Sequence, residues 1–592
     1  MNRQDRQRLQ RLLPYFKRDR KRLTLTLLLL IPVALAAAVQ PLLVGQAISV
    51  LRREPTATWL RGLPVAQALQ LLIGLLLMPV LLRLGLQGLQ SYNVQAVGQR
   101  LTARIRDDLF GHAMALSLRF HDRTPVGKLL TRLTSDVDAL AEVFGSGAVG
   151  VLGDLVTLIV IAATMITIEW RLGLLLLVSQ LPVTAGILWL QKRYRKANYR
   201  VREELSQLNA DLQENLQGLE VVQMFRREQR NSERFARTTD AYRGAVNGTI
   251  LFDSAISAFI EWVALAAVAV VLALGGAMVT GGAMGLGTLT TFILYSQRLF
   301  DPLRQLAERF TQIQGGLTAV ERIGELLEEP IEIQDSRVLA SGRRTADAAE
   351  VIFDNVSFAY RPDEPILQEI SFRIAPGEHV ALVGPTGCGK TTVIRLLCRL
   401  YEPQQGRILL DGDDISTLPQ ATLRQRLGVV LQDTFLFSGT VADNLRLDAP
   451  ISSDQLQQTC HELGLTPLLQ RLPDGLASQL RERGANLSSG ERQLLAVARV
   501  ALRNPAVLVM DEATAFMDPS TEATLQRDLG VLLQGRTAVV IAHRLATVEA
   551  ADRILVLQKG RLVEQGNHRE LRAAGGLYAR LAELQERGLA SL

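Results

Sequence analysis

Six long apolar runs punctuate the chain before residue 320, near Leu23 to Ile48, Ala66 to Tyr92, Ser146 to Ile168, Leu172 to Gln191, Thr249 to Leu274 and Leu286 to Gln314. The hydrocarbon core of a bilayer takes roughly 20 apolar residues of helix to cross, so each run predicts one transmembrane helix. The third and fourth are separated by little more than Glu169-Trp170-Arg171, a tight turn at an interface. The fifth and sixth are joined by the glycine-rich, uncharged stretch from Gly275 to Gly287. Between the second and third runs, Leu101, Ile105 and Leu109 recur at four-residue spacing, and Leu205 with Asn209 and Leu208 with Leu212 do so after the fourth. Helical periodicity therefore continues beyond the apolar spans. Breaks at Thr124-Pro125 and near Gly218 allow each pair of helices to turn back.

The pattern changes after Glu329-Pro330. A polar stretch without an apolar period reads as a linker, and beyond it short buried-strand runs alternate with helical ones, the signature of a soluble α/β fold. The expected organisation is a membrane domain over 1–328 with long cytoplasmic loops, a linker over 329–348 and a nucleotide-binding domain over 349–592.

Composition agrees with two unlike halves: 592 residues that are 48% hydrophobic and 21% charged average to a mean hydropathy of +0.15. The formal charge of +6 invites a nucleic-acid partner, but the basic residues gather between the apolar spans. Lys and Arg are retained on the cytoplasmic side of a membrane. Arg3 to Arg22, Arg100 to Arg132 and Lys192 to Arg243 thus place the N-terminus, both long loops and the C-terminal half in the cytoplasm, in a bacterial inner or plasma membrane, with lipid and not nucleic acid as surroundings. A cleaved leader is the competing reading, since Ala34-Leu35-Ala36 resembles a cleavage site. The apolar run continues past it to Ile48, and cleavage leaves an odd number of spans. Cys388, Cys398 and Cys460 lack metal-ligand spacing and read as reduced thiols.

The chemistry lies in the second half. Val380 to Val383 is a strand that feeds Gly384-Pro385-Thr386-Gly387-Cys388-Gly389-Lys390-Thr391, a phosphate-binding loop in strand-loop-helix context. Its glycines let backbone N–H groups wrap phosphates, Lys390 reaches the β and γ phosphates, and the Thr391 hydroxyl serves Mg²⁺. Val507 to Met510 delivers Asp511, a metal ligand, and Glu512, a general base for the attacking water. Val539 to Ala542 delivers His543 to the same edge, where a histidine can hydrogen-bond a γ-phosphate. A histidine alone in such a place is more often structural.

Leu487-Ser488-Ser489-Gly490-Glu491-Arg492-Gln493, between the phosphate loop and Asp511, strongly resembles the signature of the ABC transporter family. The small residues Ser488, Ser489 and Gly490 before a helix form a second anion-binding nest. The resemblance implies that this nest closes on nucleotide held by an opposite subunit, so the chain is expected to work as a dimer. It further implies that Tyr360 stacks on adenine, that Thr392 joins the phosphate contacts, that Gln432 senses Mg²⁺ and the attacking water, and that Asp518 communicates between two sites. The preceding Ala515-Phe516-Met517 departs from the family's usual Ser-Ala-Leu. Arg481-Glu482-Arg483-Gly484 resembles the family's transmission segment. Phe120-His121-Asp122 with Gly127 and Arg132, and Glu214-Asn215 with Gly218, resemble loops whose short coupling helices rest on the nucleotide domains.

The fold class so implied is an all-α polytopic membrane domain of six transmembrane helices followed by an α/β P-loop ABC ATPase domain. The function implied is ATP-driven export by alternating access, with ATP and Mg²⁺ as cofactors and a second half-transporter as partner, a homodimer before a heterodimer. Arg83, Asp154, Asp253 and Glu261 fall in or near apolar spans, where ionisable groups are costly and usually functional. Glu261 beside Trp262 is the most interior by position and is expected to attract a cationic amphiphile; a multidrug or lipid-like compound is the leading substrate class. An import-running or peptide-exporting member of the fold and a membrane-tethered ATPase without transport stay open, though no peptidase-like domain precedes the first span. A thiol at Cys388 predicts ATPase activity that is sensitive to alkylation.

Overall fold

A computed structural model describes the chain apart from residues 1–13, 16, 336–347, 433, 512–526, 528, 543 and 589–592; within helices, the side chains of 144–146, 301, 303–304, 306–308, 310–312 and 314 are likewise not described. Contacts divide the chain into two compact units, Met1–Met114 with Val126–Glu329, and Ala115–Pro125 with Pro330–Leu592.

The first unit is helical. Its principal helices are α1 (Arg20–Arg52), α2 (Val65–Ala115), and, past the second unit's short helix α3 (Leu118–Arg123), α4 (Val126–Thr131), α5 (Val137–Glu142), α6 (Val149–Ile168), α7 (Trp170–Gln217), α8 (Leu219–Met224), α9 (Glu228–Thr280) and α10 (Leu286–Glu328). Five of these, α1, α2, α6, α7 and α9, are long and apolar enough to cross a membrane; the sixth expected span falls on α10. The periodicity beyond the spans is realised as uninterrupted helix: α2 runs 51 residues and α9 runs 53. Glu169 caps α7 by accepting from the Arg171 N–H at 3.4 Å, which makes the turn between α6 and α7 short. Gly218 closes α7, as the break there predicts.

Proline shapes the interior. Pro41 lacks the N–H that would bond the carbonyl of Ala37 one turn earlier in α1, leaving an orphan acceptor in an apolar setting. Arg298 of α10 donates to that oxygen at 2.7 Å, and Tyr295 donates to the neighbouring Ala38 carbonyl at 2.5 Å. The α1–α10 seam is thus held in part by a hydrogen bond to a carbonyl that a proline leaves open. Tyr295, Phe292 and Leu299 are fully buried beside it, while Leu84, Leu181 and Leu265 are 72%, 72% and 65% exposed. An apolar helix face without protein cover suits lipid contact.

The second unit carries two main sheets and one short antiparallel pair, β7 (Gly439–Thr440) with β8 (Gln479–Leu480). β1 (Val351–Arg361) and β2 (Glu364–Ile374) form an antiparallel hairpin joined by β4 (Gln405–Leu410) and β5 (Asp413–Asp414). The other sheet has the order β12, β11, β3, β10, β9, β6, in which β3 (His379–Val383), β6 (Leu427–Val430), β9 (Val507–Asp511), β10 (Thr537–Ile541) and β11 (Arg553–Gln558) run parallel and β12 (Arg561–Gly566) antiparallel. β9 is buried at every residue, as a parallel strand covered on both faces must be, hence its unbroken apolar run. Helix α11 (Lys390–Leu397) packs under this sheet, with Val393, Leu396 and Leu397 in the main core.

Candidate functional site

The strand tips converge through register. Ile541 lies beside both Leu382 and Asp511, so β3, β10 and β9 release the chain together at one edge of the sheet. From β3 the chain enters the phosphate loop. Gly389, immediately before α11, holds φ at 107°, a conformation that costs glycine little and other residues much. Gly384 meets a second limit, for a Cβ there would stand 2.2 Å from the Leu557 carbonyl oxygen.

Lys390 opens α11, where the first-turn N–H groups have no helical partner and face the loop. Its side chain is buried, 7% exposed, and its ammonium donates to the Gly384 carbonyl. Thr391 donates its hydroxyl to the Asp511 carboxylate at 3.4 Å, and Asp511 is itself buried. A hydroxyl and a carboxylate oxygen converging beside a cationic loop form the donor set a hard divalent cation takes. Glu512, His543 and Asp518, with Ala515 to Met517, lie outside the described residues. Asp511 and Ala542, their immediate or near neighbours, stand at the shared edge.

Tyr360 sits at the end of β1. Its hydroxyl is 3.2 Å from the Thr392 hydroxyl and accepts from Arg395 at 3.3 Å, while its ring meets Tyr401 edge-on at 5.2 Å. Tyr401 in turn donates to Asp122 on α3, and Arg123 donates to the Tyr360 carbonyl at 3.3 Å. Burial first, then the Asp122 carboxylate, pushes the Tyr401 hydroxyl well above the usual phenol range, so it stays a donor. Leu118 packs on the same core. The segment that resembles a coupling loop therefore reaches the phosphate-loop helix through Tyr401 and Arg395, neither of which sequence reasoning singled out; only their packing marks them.

The signature segment starts helix α12 (Ser489–Ala501). Ser488 caps it, accepting from the Glu491 N–H at 3.3 Å while Glu491 accepts from the Ser488 N–H at 2.8 Å, a reciprocal box. A hydroxyl that accepts can still donate, and Ser488 and Ser489 are exposed. The same helix supplies a residue given no role from sequence. Gln493, 3% exposed, donates to the Leu431 carbonyl at 3.1 Å and accepts from Thr434 at 2.8 Å. It holds from both sides the turn that presents Gln432, itself exposed.

Two expectations require correction. The Cys388 thiol is only 4% exposed, and burial pushes its pKa up despite partial relief from Lys390. A buried thiol short of thiolate is a poor alkylation probe. Glu261 is not interior, since it lies on an exposed face of α9, as does Asp253. The charged residues that line the membrane unit's large cavity of roughly 1180 Å³ are instead Arg83, Arg106, Asp138, Glu142, Asp154, Arg298 and Arg309.

Comparison with known proteins resolves the class. The family model for the ABC transporter transmembrane region matches residues 23–303, and the model for the ABC transporter domain matches residues 367–515. A probable multidrug resistance ABC transporter ATP-binding/permease protein of Bacillus subtilis is 36% identical over 87% of this chain and 76% of its own length. The chain belongs to the ABC transporter family. A fatty acid ABC transporter ATP-binding/permease protein of Mycobacterium tuberculosis is 35% identical over 81% of this chain and 76% of its own. Among solved structures, a bacterial Atm1-family ABC exporter with ATP bound superposes with a TM-score of 0.75 at 29% identity, covering 96% of this chain and 98% of that one. This ABC transporter is thus an exporter-type half-transporter, a multi-pass membrane protein whose C-terminal unit binds and hydrolyses ATP.

Proposed function

We propose that the protein pairs with a second copy of itself and exports a hydrophobic or amphipathic compound by alternating access, from a bacterial inner or plasma membrane with its nucleotide unit in the cytoplasm. The division into a membrane domain over 1–328, a linker over 329–348 and a nucleotide domain over 349–592 belongs to this reading. The observation that carries it is the shared strand edge, where Lys390, Thr391 and Asp511 meet. Magnesium, when bound, offsets phosphate charge. Thr391, Asp511 and Gln432 would hold it. The backbone of Gly384, Gly387, Cys388 and Gly389, with Thr392, cradles the phosphates; Lys390 neutralises them; Tyr360 stacks on adenine; Glu512 takes a proton from the attacking water, oriented by Gln432 and His543.

Pairing is supported by surfaces a lone chain leaves open. Ser488, Ser489 and Gly490 form an anion nest, which in the dimer closes on the partner's nucleotide, and Asp518 communicates between the two sites. On short helix α8 and just after it, Val221, Met224 and Phe225 are 58%, 72% and 70% exposed, an apolar set that needs a partner surface. The names of the relatives, one a multidrug and one a fatty acid transporter, favour an amphipathic cargo.

Glu512→Gln tests the chemistry. Its ATP turnover in lipid should fall about 10²- to 10⁴-fold, the usual share of a general base. Turnover at the unmodified rate would sink the assignment. Inside-out vesicles given external ATP should accumulate a fluorescent amphiphile; ATP-driven depletion would instead favour import.

A further inference from the structure

Polar residues on α2 recur at helical spacing. Arg83, Gln87 and Gln90 stand at positions i, i+4 and i+7, so they share one face, and all three line the cavity of the membrane unit. The leucines between them point elsewhere: Leu84 and Leu89 are 72% and 46% exposed and do not line it. A helix passing through lipid with this division turns one wet stripe inward.

Among the described residues that line the cavity, the charges do not cancel. Asp154 takes Arg309 at 2.5 Å, and Arg106 pairs with Asp138 at 3.0 Å. Arg298 donates to the Ala37 carbonyl and to Gln40, both at 2.7 Å. Among the described lining residues, four arginines thus face three carboxylates, Glu142 being the third. Arg83 is left over: among the described residues it has neither an ion pair nor a hydrogen bond. It stands 18 residues into α2, within the second apolar span. An unpaired guanidinium at that depth is costly unless something anionic meets it. Its planar fork matches a carboxylate or phosphate with two parallel hydrogen bonds.

We propose that this cavity takes an amphiphile with one anionic head group, a carboxylate or a phosphate, held by Arg83 and by the amides of Gln87 and Gln90. Its apolar chain lies along Leu30, Val33 and Ile161, which line the same cavity. A cationic amphiphile there meets an uncompensated like charge. The proposal rests on the reading of the membrane unit as the transport path, and it replaces Glu261 with Arg83 as the residue that selects cargo.

The test uses the full-length protein in nanodiscs of zwitterionic lipid, with palmitate, hexadecyl phosphate, hexadecanol and hexadecyltrimethylammonium as probes that differ only in the head. Equilibrium binding and stimulation of ATP turnover are both read. One of the two anions should half-saturate at the lowest concentration, and which one it is tells carboxylate from phosphate. Arg83→Gln should raise that concentration about tenfold, the loss of a charge-assisted contact, while shifting the alcohol by less than about twofold. Arg83→Lys, which keeps the charge, should restore most of the anion preference. Tighter binding of the ammonium probe, or an equal shift for anion and alcohol in Arg83→Gln, overturns the proposal. Selective anion binding without ATP-driven movement in vesicles would keep the head-group assignment and remove the transport reading; ATP-driven movement without anion preference does the reverse.

Discussion

Lys390 and Arg83 are both cations set into recesses of the protein, yet they are held in opposite ways. Lys390 is held locally, by a carbonyl six residues back in its own loop, in a turn whose glycines leave the backbone no alternative. Arg83 faces a cavity lined by α1, α2, α5, α6 and α10, so that apart from Gln87, Gln90 and the rest of its own helix its surroundings are far away in sequence. A charge held by its own loop belongs to a motif that recurs wherever the loop recurs. A charge placed by several helices is specific to one packing, and so is free to differ in cargo between relatives that share the same engine.

That contrast can be broken by moving charge across the membrane unit. Asp154→Asn should leave Arg309 unpaired and destabilise the protein by about 2 to 3 kcal/mol, somewhat less than a fully buried pair because both groups keep some exposure. The reversed pair, Asp154→Arg with Arg309→Asp, should recover much of that loss in thermal unfolding followed in detergent. A double variant as weak as the single one would mean the two side chains are not coupled. Gln493→Ala sharpens the other side. Loss of two buried hydrogen bonds on the turn bearing Gln432 should lower the turnover number about tenfold with little change in KM for ATP; an equal rise in KM would make Gln493 a general stabiliser of the fold and not a positioning residue. The smallest effect expected is at Cys388. Because the thiol's pKa lies above its ordinary value, its thiolate fraction at neutral pH is low. Maleimide should therefore inactivate slowly, and faster as pH rises. Rapid inactivation at neutral pH that Cys388→Ala abolishes would show the loop opening far more often than its burial implies.

The strand-loop-helix frame was legible because each part is local. A strand, a glycine turn and a helix start lie within Val380 to Thr391, and the structure has that order of elements there. The breaks at Thr124-Pro125 and Gly218 were legible for the same reason, since proline and glycine act on the backbone where they stand. The reach of α3 to Tyr401 and Arg395 was not, because contacts across 279 residues leave no periodic trace. Glu261 shows the opposite failure. Depth along a helix can be counted from sequence, but facing cannot be read for a single charged residue among apolar ones.

By itself, then, the order of residues determined the apolar spans, the strand-loop-helix of the phosphate site and the capped signature helix, since all three follow from backbone preferences and hydrogen bonds between near neighbours. Tertiary structure alone decided which of the arginines lining the cavity has no partner among the described residues. The rotation of each membrane helix about its axis is set by its packing against the others, as where the proline-orphaned carbonyl of Ala37 captures Arg298 from 261 positions away.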